Sequence, residues 1–392
     1  CSVSHGRQQK IKVRRIQLVR LLICAGGTGG GVYPALSVLL RMMTDEAAGY
    51  PEILWVGSQG GMEAELVKRA GVRFEAIPSA GVHGVGWRAL PGNLWRLWRG
   101  LLASRRLLHA YQPHVLFFTG GYVAVPMALA SWLGRVGKRL LYVPDIEPGL
   151  ALKTLSRFAD VIALSVADSQ RFFSGKVHQV VTGYPLRPEL DRWTRSAALQ
   201  QFGLRADLPV LLVTGGSKGA RSINRAISAG LPQLLNSLQV IHISGQLDFT
   251  EMDQARQALP EAQAANYRLF AYLHEEMGAA LRVADLAVMR AGASTLGELP
   301  LFGLPAILVP YPYAWRYQKV NAAYLVEHGA AETLEDADLP EKLVPFIQGL
   351  MKDLPRREKM RAALVELARP QAAKKITDLL VGLGTPGGAA GG

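Results

Sequence analysis

The sequence predicts an α/β protein of two Rossmann-like domains whose parallel sheets face an inter-domain cleft. Three observations predict it. An apolar strand followed by a glycine cluster and a helix-like pattern occurs twice, at residues 18–36 and 209–221. Each copy heads a series of short, continuously apolar strands alternating with helices, the pattern of parallel sheets covered on both faces. The turn-rich stretch Thr182-Gly183-Tyr184-Pro185-Leu186-Arg187-Pro188 separates the two series.

The first copy is Leu18 to Cys24, then Ala25-Gly26-Gly27-Thr28-Gly29-Gly30-Gly31, then Val32-Tyr33-Pro34-Ala35-Leu36, where Pro34 suits a first helical turn. Further strands are expected at Ile53 to Val56, Val115 to Phe118, Leu140 to Val143 and Val161 to Leu164. The second copy is Pro209 to Val213, then Thr214-Gly215-Gly216-Ser217-Lys218-Gly219-Ala220 and a helix from about Arg221, with strands at Val240 to Ile243, Leu286 to Met289 and Ala306 to Val309. The domains are therefore expected at 18–182 and 183–381, with the last helix free to return to the first. Residues 1–17, where Arg7, Lys10, Lys12, Arg14 and Arg15 meet no acid, are expected to be a disordered leader, and the glycine-rich 382–392 a disordered tail.

Composition narrows the function. The 392 residues are 49% hydrophobic and 19% charged, the profile of a folded chain. Only Cys1 and Cys24 are present, too few for a disulfide framework or a cysteine-based zinc site. No apolar run reaches the ~18 residues needed to span a bilayer; Val123 to Leu133 is broken by Pro126. Lys and Arg outnumber Asp and Glu by 44 to 31, so anionic partners are favoured: nucleic acid, phosphorylated ligands or an acidic membrane surface.

A glycine cluster between strand and helix lets backbone N–H groups approach a phosphate at the positive end of the helix dipole. Both clusters are candidate anion sites. A dinucleotide-binding dehydrogenase would need an acid at the end of the second strand, and Trp55-Val56-Gly57-Ser58-Gln59 has none. A P-loop would need Ser or Thr after its lysine, and Lys218 is followed by Gly219. Nucleic-acid binding lacks any recognisable RNA-binding or zinc-finger pattern and leaves the glycine clusters unexplained.

Taken together, the motifs resemble the two-domain GT-B glycosyltransferases, most closely the MurG family, from about Leu18 to about Leu380. The resemblance rests on Gly26 to Leu36, Gly120-Gly121-Tyr122-Val123, Thr214 to Arg221, Arg290-Ala291-Gly292-Ala293-Ser294-Thr295-Leu296-Gly297-Glu298-Leu299, and Gly303 to Pro310. It implies an inverting transfer of N-acetylglucosamine from UDP-GlcNAc to undecaprenyl-diphosphate-linked MurNAc-peptide (lipid I) in peptidoglycan synthesis, on the cytoplasmic side of a bacterial membrane. A related enzyme using another lipid acceptor, such as diacylglycerol, is the alternative. By resemblance, Ser217 and neighbouring amides meet the donor diphosphate, Arg187 lies near the nucleotide phosphates, Leu273 borders the uracil, Glu298 accepts from the ribose hydroxyls and Gln318 contacts the sugar. Thr28, Gly29, Gly30 and Tyr122 belong to the acceptor side. The types suit the chemistry, since a dianionic leaving group needs amide and Arg donors and a carboxylate suits a vicinal diol.

Two departures bear on catalysis. The family's usual His after the first T-G-G, a candidate general base, is Gly31 here. Where the family carries His-Glu-Gln-Asn ahead of Pro-Gly-Leu, this chain has Pro144-Asp145-Ile146-Glu147, which offers no Asn to the sugar. A cleft carboxylate can take the acceptor proton, so Asp145, or secondarily Glu147, is the expected base.

No metal or other cofactor is expected. Asp336-Ala337-Asp338 matches the D-x-D string of metal-dependent transferases but is expected far from the glycine clusters, as a helix N-cap. Within Trp87 to Leu108, Leu94, Trp95, Trp98, Leu101 and Leu102 share a helical face, with Arg88, Arg96, Arg99, Arg105 and Arg106 nearby. That pattern suits either an anionic membrane surface or a core-facing helix with a basic back. The resemblance favours the membrane, contacted through Trp87 to Arg106.

Overall fold

The computed structural model describes residues 19–26, 29–45, 51–61, 63–80, 90–216, 218–313 and 317–385. The leader 1–17, Thr28, Trp87, Arg88, Ser217 and residues 386–392 lie outside them.

The first half runs β1 (Arg20–Ala25), α1 (Gly29–Thr44), β2 (Glu52–Ser58), α2 (Glu63–Arg69), β3 (Arg73–Ile77), α3 (Leu90–Tyr111) and β4 (Val115–Gly120). It continues through α4 (Ala124–Gly134), β5 (Lys138–Val143), α5 (Leu150–Leu155), β6 (Val161–Leu164) and β7 (His178–Val181). These strands form one parallel sheet, ordered β3-β2-β1-β4-β5-β6-β7. The second half runs α6 (Arg195–Phe202), β8 (Val210–Thr214), α7 (Arg221–Leu234), β9 (Gln239–Ile243), α8 (Phe249–Gln257), α9 (Glu261–Ala264) and β10 (Tyr267–Phe270). Then come α10 (Met277–Val283), β11 (Leu286–Met289), α11 (Thr295–Phe302), β12 (Ala306–Leu308), α12 (Tyr317–Glu327) and β13 (Glu332–Thr333). The sheet order is β10-β9-β8-β11-β12-β13, also parallel. Three helices, α13 (Leu339–Lys352), α14 (Leu354–Leu367) and α15 (Ala372–Gly384), close the chain.

Every strand expected from an apolar run is present, and the four that were not expected, β3, β7, β10 and β13, are the outer strands of the two sheets. The reason is burial. Inner strands are covered on both faces, as β4 is throughout, whereas only Ile77 of β3 is fully buried and no residue of β7 is. Alternation then sorts side chains between the two faces: in β1, Leu21, Ile23 and Ala25 join one core, Leu22 and Cys24 the other.

Both sheets follow the doubly wound order that reverses at the first strand, leaving a crevice beside the carboxyl ends of β1 and β4 and of β8 and β11. Gly29, Gly30 and Gly31 of the first glycine cluster are already helical. Because α1 begins at Gly29, Pro34 sits in its second turn rather than its first, and the amides of Gly29 and Gly30 are among the helix's unsatisfied N-terminal donors. The last helix packs on the first sheet, with Ile376 and Leu380 fully buried in the same core as β1 and α1. It runs through Gly384, so residues 382–384 are helix, not tail.

Candidate active site

The carboxyl ends of the two sheets enclose a cleft of about 900 Å³. Gly29, Gly30 and Tyr33 of α1 form one wall. Arg187 enters from the connector, and the opposite wall carries the second glycine cluster, Leu273, Glu298 and Gln318. Six of the expected substrate-binding residues thus line a single volume.

Local geometry explains why the second cluster must be glycine. A Cβ on Gly215 would lie 2.2 Å from the Ala220 nitrogen, and one on Gly219, whose φ is +79°, 2.2 Å from the Ser244 carbonyl oxygen. The backbone therefore turns tightly against β9 and leads into α7. Glu298 stands in the first turn of α11, half-buried, with its Oε2 accepting from the Ser294 hydroxyl at 3.1 Å. Burial raises its pKa, opposed by the Ser294 hydrogen bond and the nearby Arg187. The other carboxylate oxygen keeps its acceptor capacity for a hydroxyl. Gln318 uses its Oε1 to accept the Tyr311 amide at 2.8 Å, and among the described residues its NH2 group has no partner. Leu273 is buried, a flat apolar contact at the mouth.

Asp145, Glu147 and Tyr122 do not line this volume. Asp145 follows β5 and reaches across to the second domain, where Asn321 of α12 donates to its Oδ1 at 2.9 Å. The same amide donates to the Ala291 carbonyl at 3.2 Å and accepts the Ile146 N–H at 3.2 Å, so Asn321 links Asp145 to Ala291, the chain neighbour of Gly292 in the cleft wall. Burial raises the Asp145 pKa and the Asn321 bond opposes it. Glu147 is nearly buried and lies 3.6 Å from the Lys153 ammonium. Tyr122 is exposed on the turn after β4. Burial, and after it the neighbouring Glu147, Asp145 and Tyr122, raise the Tyr317 pKa, which places all three near that phenol. Gly31 faces the end of β4: its carbonyl accepts the Thr119 hydroxyl at 2.6 Å, and a Cβ there would stand 3.3 Å from the Thr119 carbonyl oxygen.

Asp336 is a correction. It lines the cleft instead of lying far from it, and its Oδ1 accepts from Ser222 at 2.8 Å and from Arg290 at 2.5 Å. Its partners are protein donors that brace β11 against the start of α7. Asp338 does occupy the N-cap position of α13, but its side chain makes no capping bond and pairs with Lys342 at 3.1 Å. Among the described residues no cluster of His, Cys, Asp and Glu has the makings of a metal site.

The face of α3 is likewise resolved. Trp95 and Trp98 are 61% and 53% exposed and Leu94 is exposed beside them, while Leu101 is half-buried against the first core. Arg96, Arg99, Arg105 and Arg106 are exposed. The helix packs on the core through another face, with Leu108 and Tyr111 buried, and leaves the tryptophans uncovered. Among the described residues no helix is long and apolar enough to cross a membrane.

Comparison with known proteins decides the family. The glycosyltransferase family 28 N-terminal domain matches residues 21–164 and the family 28 C-terminal domain residues 210–377. A UDP-N-acetylglucosamine--N-acetylmuramyl-(pentapeptide) pyrophosphoryl-undecaprenol N-acetylglucosamine transferase of Roseiflexus sp. (strain RS-1) is 42% identical, the match covering 92% of this chain and 94% of that one. One of the same name from Desulforamulus reducens is 36% identical, over 91% and 97%. The crystal structure of Acinetobacter baumannii MurG superposes with a TM-score of 0.71 at 26% identity, covering 92% of this chain and 99% of that one. The chain belongs to the MurG family of glycosyltransferase family 28.

Within this MurG-family site the sequence left several residues unassigned. Tyr272, Arg221, Arg290 and Asp336 all line the cleft. Arg290 and Asp336 are 46 positions apart and meet only through the fold. Asn321 sits inside the segment that carries Gln318, yet its partner Asp145 is 176 positions away. Arg221 had a local signal, as the first helical residue after a glycine cluster.

Proposed function

We propose that this protein transfers N-acetylglucosamine from UDP-GlcNAc to the C4 hydroxyl of MurNAc in lipid I, with inversion. The observation that carries the reading is the single cleft shared by the α1 amides and by Arg187, Leu273, Glu298 and Gln318, in a chain matched over nearly its whole length by relatives bearing that transferase's name.

In this reading the uracil lies against Leu273, the ribose diol donates to Glu298, and the diphosphate is held by the second glycine cluster, Ser217 included, with Arg187. Gln318 holds the sugar. Gly29 and Gly30, with Thr28, meet the acceptor diphosphate at the positive end of α1, and Tyr122 flanks the acceptor. The acceptor oxygen attacks C1 as the bond from C1 to the β-phosphate oxygen breaks. Asp145 takes the hydroxyl proton, with Glu147 the secondary candidate, and UDP leaves with both electrons of the broken bond. A carboxyl raised by burial is a better proton acceptor than an ordinary one, which suits the role. The exposed tryptophans and arginines of α3 would rest on an anionic leaflet, where a lipid-linked acceptor is met.

The test is transfer of labelled GlcNAc to a lipid I analogue, with UDP-glucose and diacylglycerol in parallel. Product with UDP-GlcNAc and lipid I alone is expected. Transfer to diacylglycerol instead, or none despite UDP binding, would overturn the reading.

A further inference from the structure

UDP departs carrying negative charge, so the cleft needs a cation that is both fixed and free to donate. Four cationic side chains line the cleft. Arg290 is consumed, with Nη1 bound to Asp336 and the Val309 carbonyl and Nη2 to Ser222. Arg187 lies over the Tyr33 ring, 5.7 Å from its centroid. Lys218 is exposed and, among the described residues, makes no ion pair that would fix it.

Arg221 differs from all three. Its Nε donates to Asp248 Oδ1 at 2.9 Å, and among the described residues neither Nη group has a partner. It is the first residue of α7, directly after the second glycine cluster, and its side chain is 61% exposed at the cleft. Its anchor is itself held from behind. Asp248 is buried, and its Oδ2 accepts from Asn224 at 3.0 Å. The Asn224 amide also donates to the Ser244 carbonyl at 2.8 Å, so its Oδ1 must accept, and His242 Nε2 lies 3.0 Å from it. The opposite ring nitrogen of His242 meets the Tyr267 hydroxyl at 2.7 Å. The chain Tyr267–His242–Asn224–Asp248 is buried and fully engaged, and it ends on the Nε edge of the guanidinium, at the cleft wall that Asp248 and Arg221 share.

We propose that Arg221 is the preorganised cation that receives the diphosphate of the nucleotide-sugar donor through its two Nη groups, with Asp248 and Asn224 as the positioning residues that hold it there. The inference rests on the transferase reading above and names a donor-site residue that the reading leaves out. A planar fork clamped at one edge presents its remaining donors at no further orientational cost, which a free lysine cannot do.

Calorimetric titration with UDP and with uridine tests it, because only UDP carries the diphosphate. The unmodified protein is expected to bind UDP more tightly than uridine, and Arg221→Ala to lose tenfold or more in UDP affinity while binding uridine unchanged. Asp248→Asn is expected to lose part of the same preference, and to have no further effect when combined with Arg221→Ala. Arg221→Ala that still prefers UDP to the original degree overturns the role of Arg221. Asp248→Asn that weakens UDP equally with or without Arg221 overturns the positioning role. An unmodified protein that binds neither ligand overturns the transferase reading itself, a result distinguishable from either.

Discussion

The hydroxyls of Tyr33 and Tyr272 lie 3.1 Å apart, one on α1 of the first domain and one just past β10 of the second. This is a direct bond across the cleft, with Arg187 lying over the Tyr33 ring and burial pushing the Tyr272 phenol up to about 12. Neither ring is needed by either core, so the bond reports the approach of the domains. Tyr33→Phe keeps the ring and removes about 1 kcal/mol of hydrogen bonding. The variant is expected to show a larger radius of gyration by X-ray scattering without ligand and to regain the original value with UDP. An unchanged radius would show that the bond holds nothing together.

The Asn321–Asp145 bond makes a signed pH prediction. Burial raises the Asp145 pKa while the hydrogen bond lowers it. If Asp145 must be ionised to accept a proton, removing the bond by Asn321→Leu moves the acidic limb of the kcat profile to higher pH. Asp145→Asn should lose at least 100-fold in kcat, the order expected for a general base. For stability the sign is opposite to that of a salt-bridged acid: a carboxyl raised by folding contributes stability below its unfolded pKa and loses it as pH rises through the folded value. Near-full turnover by Asp145→Asn would discard the assignment.

Gly121 takes φ of +85°, and a Cβ there would fall 2.3 Å from the Gly26 carbonyl oxygen. Gly121→Ala is therefore expected to cost about 2 kcal/mol or more, from the left-handed backbone and the clash together. Thermal unfolding measures it. The loss should be accompanied by weaker acceptor binding, since Gly26 opens the first glycine cluster.

Trp95 and Trp98 project into solvent. Replacing both with Ser should leave the unfolding temperature nearly unchanged and abolish sedimentation with vesicles containing anionic lipid. DNA-cellulose retention at matched salt should be weak throughout. Equal vesicle binding by the double variant would move the membrane contact elsewhere.

Transfer is expected to persist in EDTA, because in the proposed reading amide donors and Arg side chains would provide the counter-charge at the second glycine cluster. Abolition by EDTA with rescue by one divalent metal would show otherwise.

How much was legible follows from what each position touches. Inner strands advertise themselves because both faces are covered, and outer strands such as His178–Val181, half-wet along their length, do not. Arg187, Leu273, Glu298 and Gln318 were expected through the family resemblance and not from their own spacing, and the fold brings all four to one cleft. Asp336 was misplaced because a D-x-D string says nothing about Arg290 and Ser222, which claim its carboxylate in space. The exposure of Trp95 could not be read at all, since periodicity gives a helix an apolar face without saying whether anything covers it.

The return of α15 to the first sheet means that the second domain is joined to the first twice, through the connector at Gly183 and through the stretch entering α15. The two crossings touch: a Cβ on Gly183 would stand 2.5 Å from Arg369 Cβ and 3.1 Å from Ala372 Cβ. Two connections held in contact tie the halves more tightly than one would, so their relative movement is restricted where the chain crosses between them. Cutting either crossing alone would leave the halves attached through one connection, with more freedom to part.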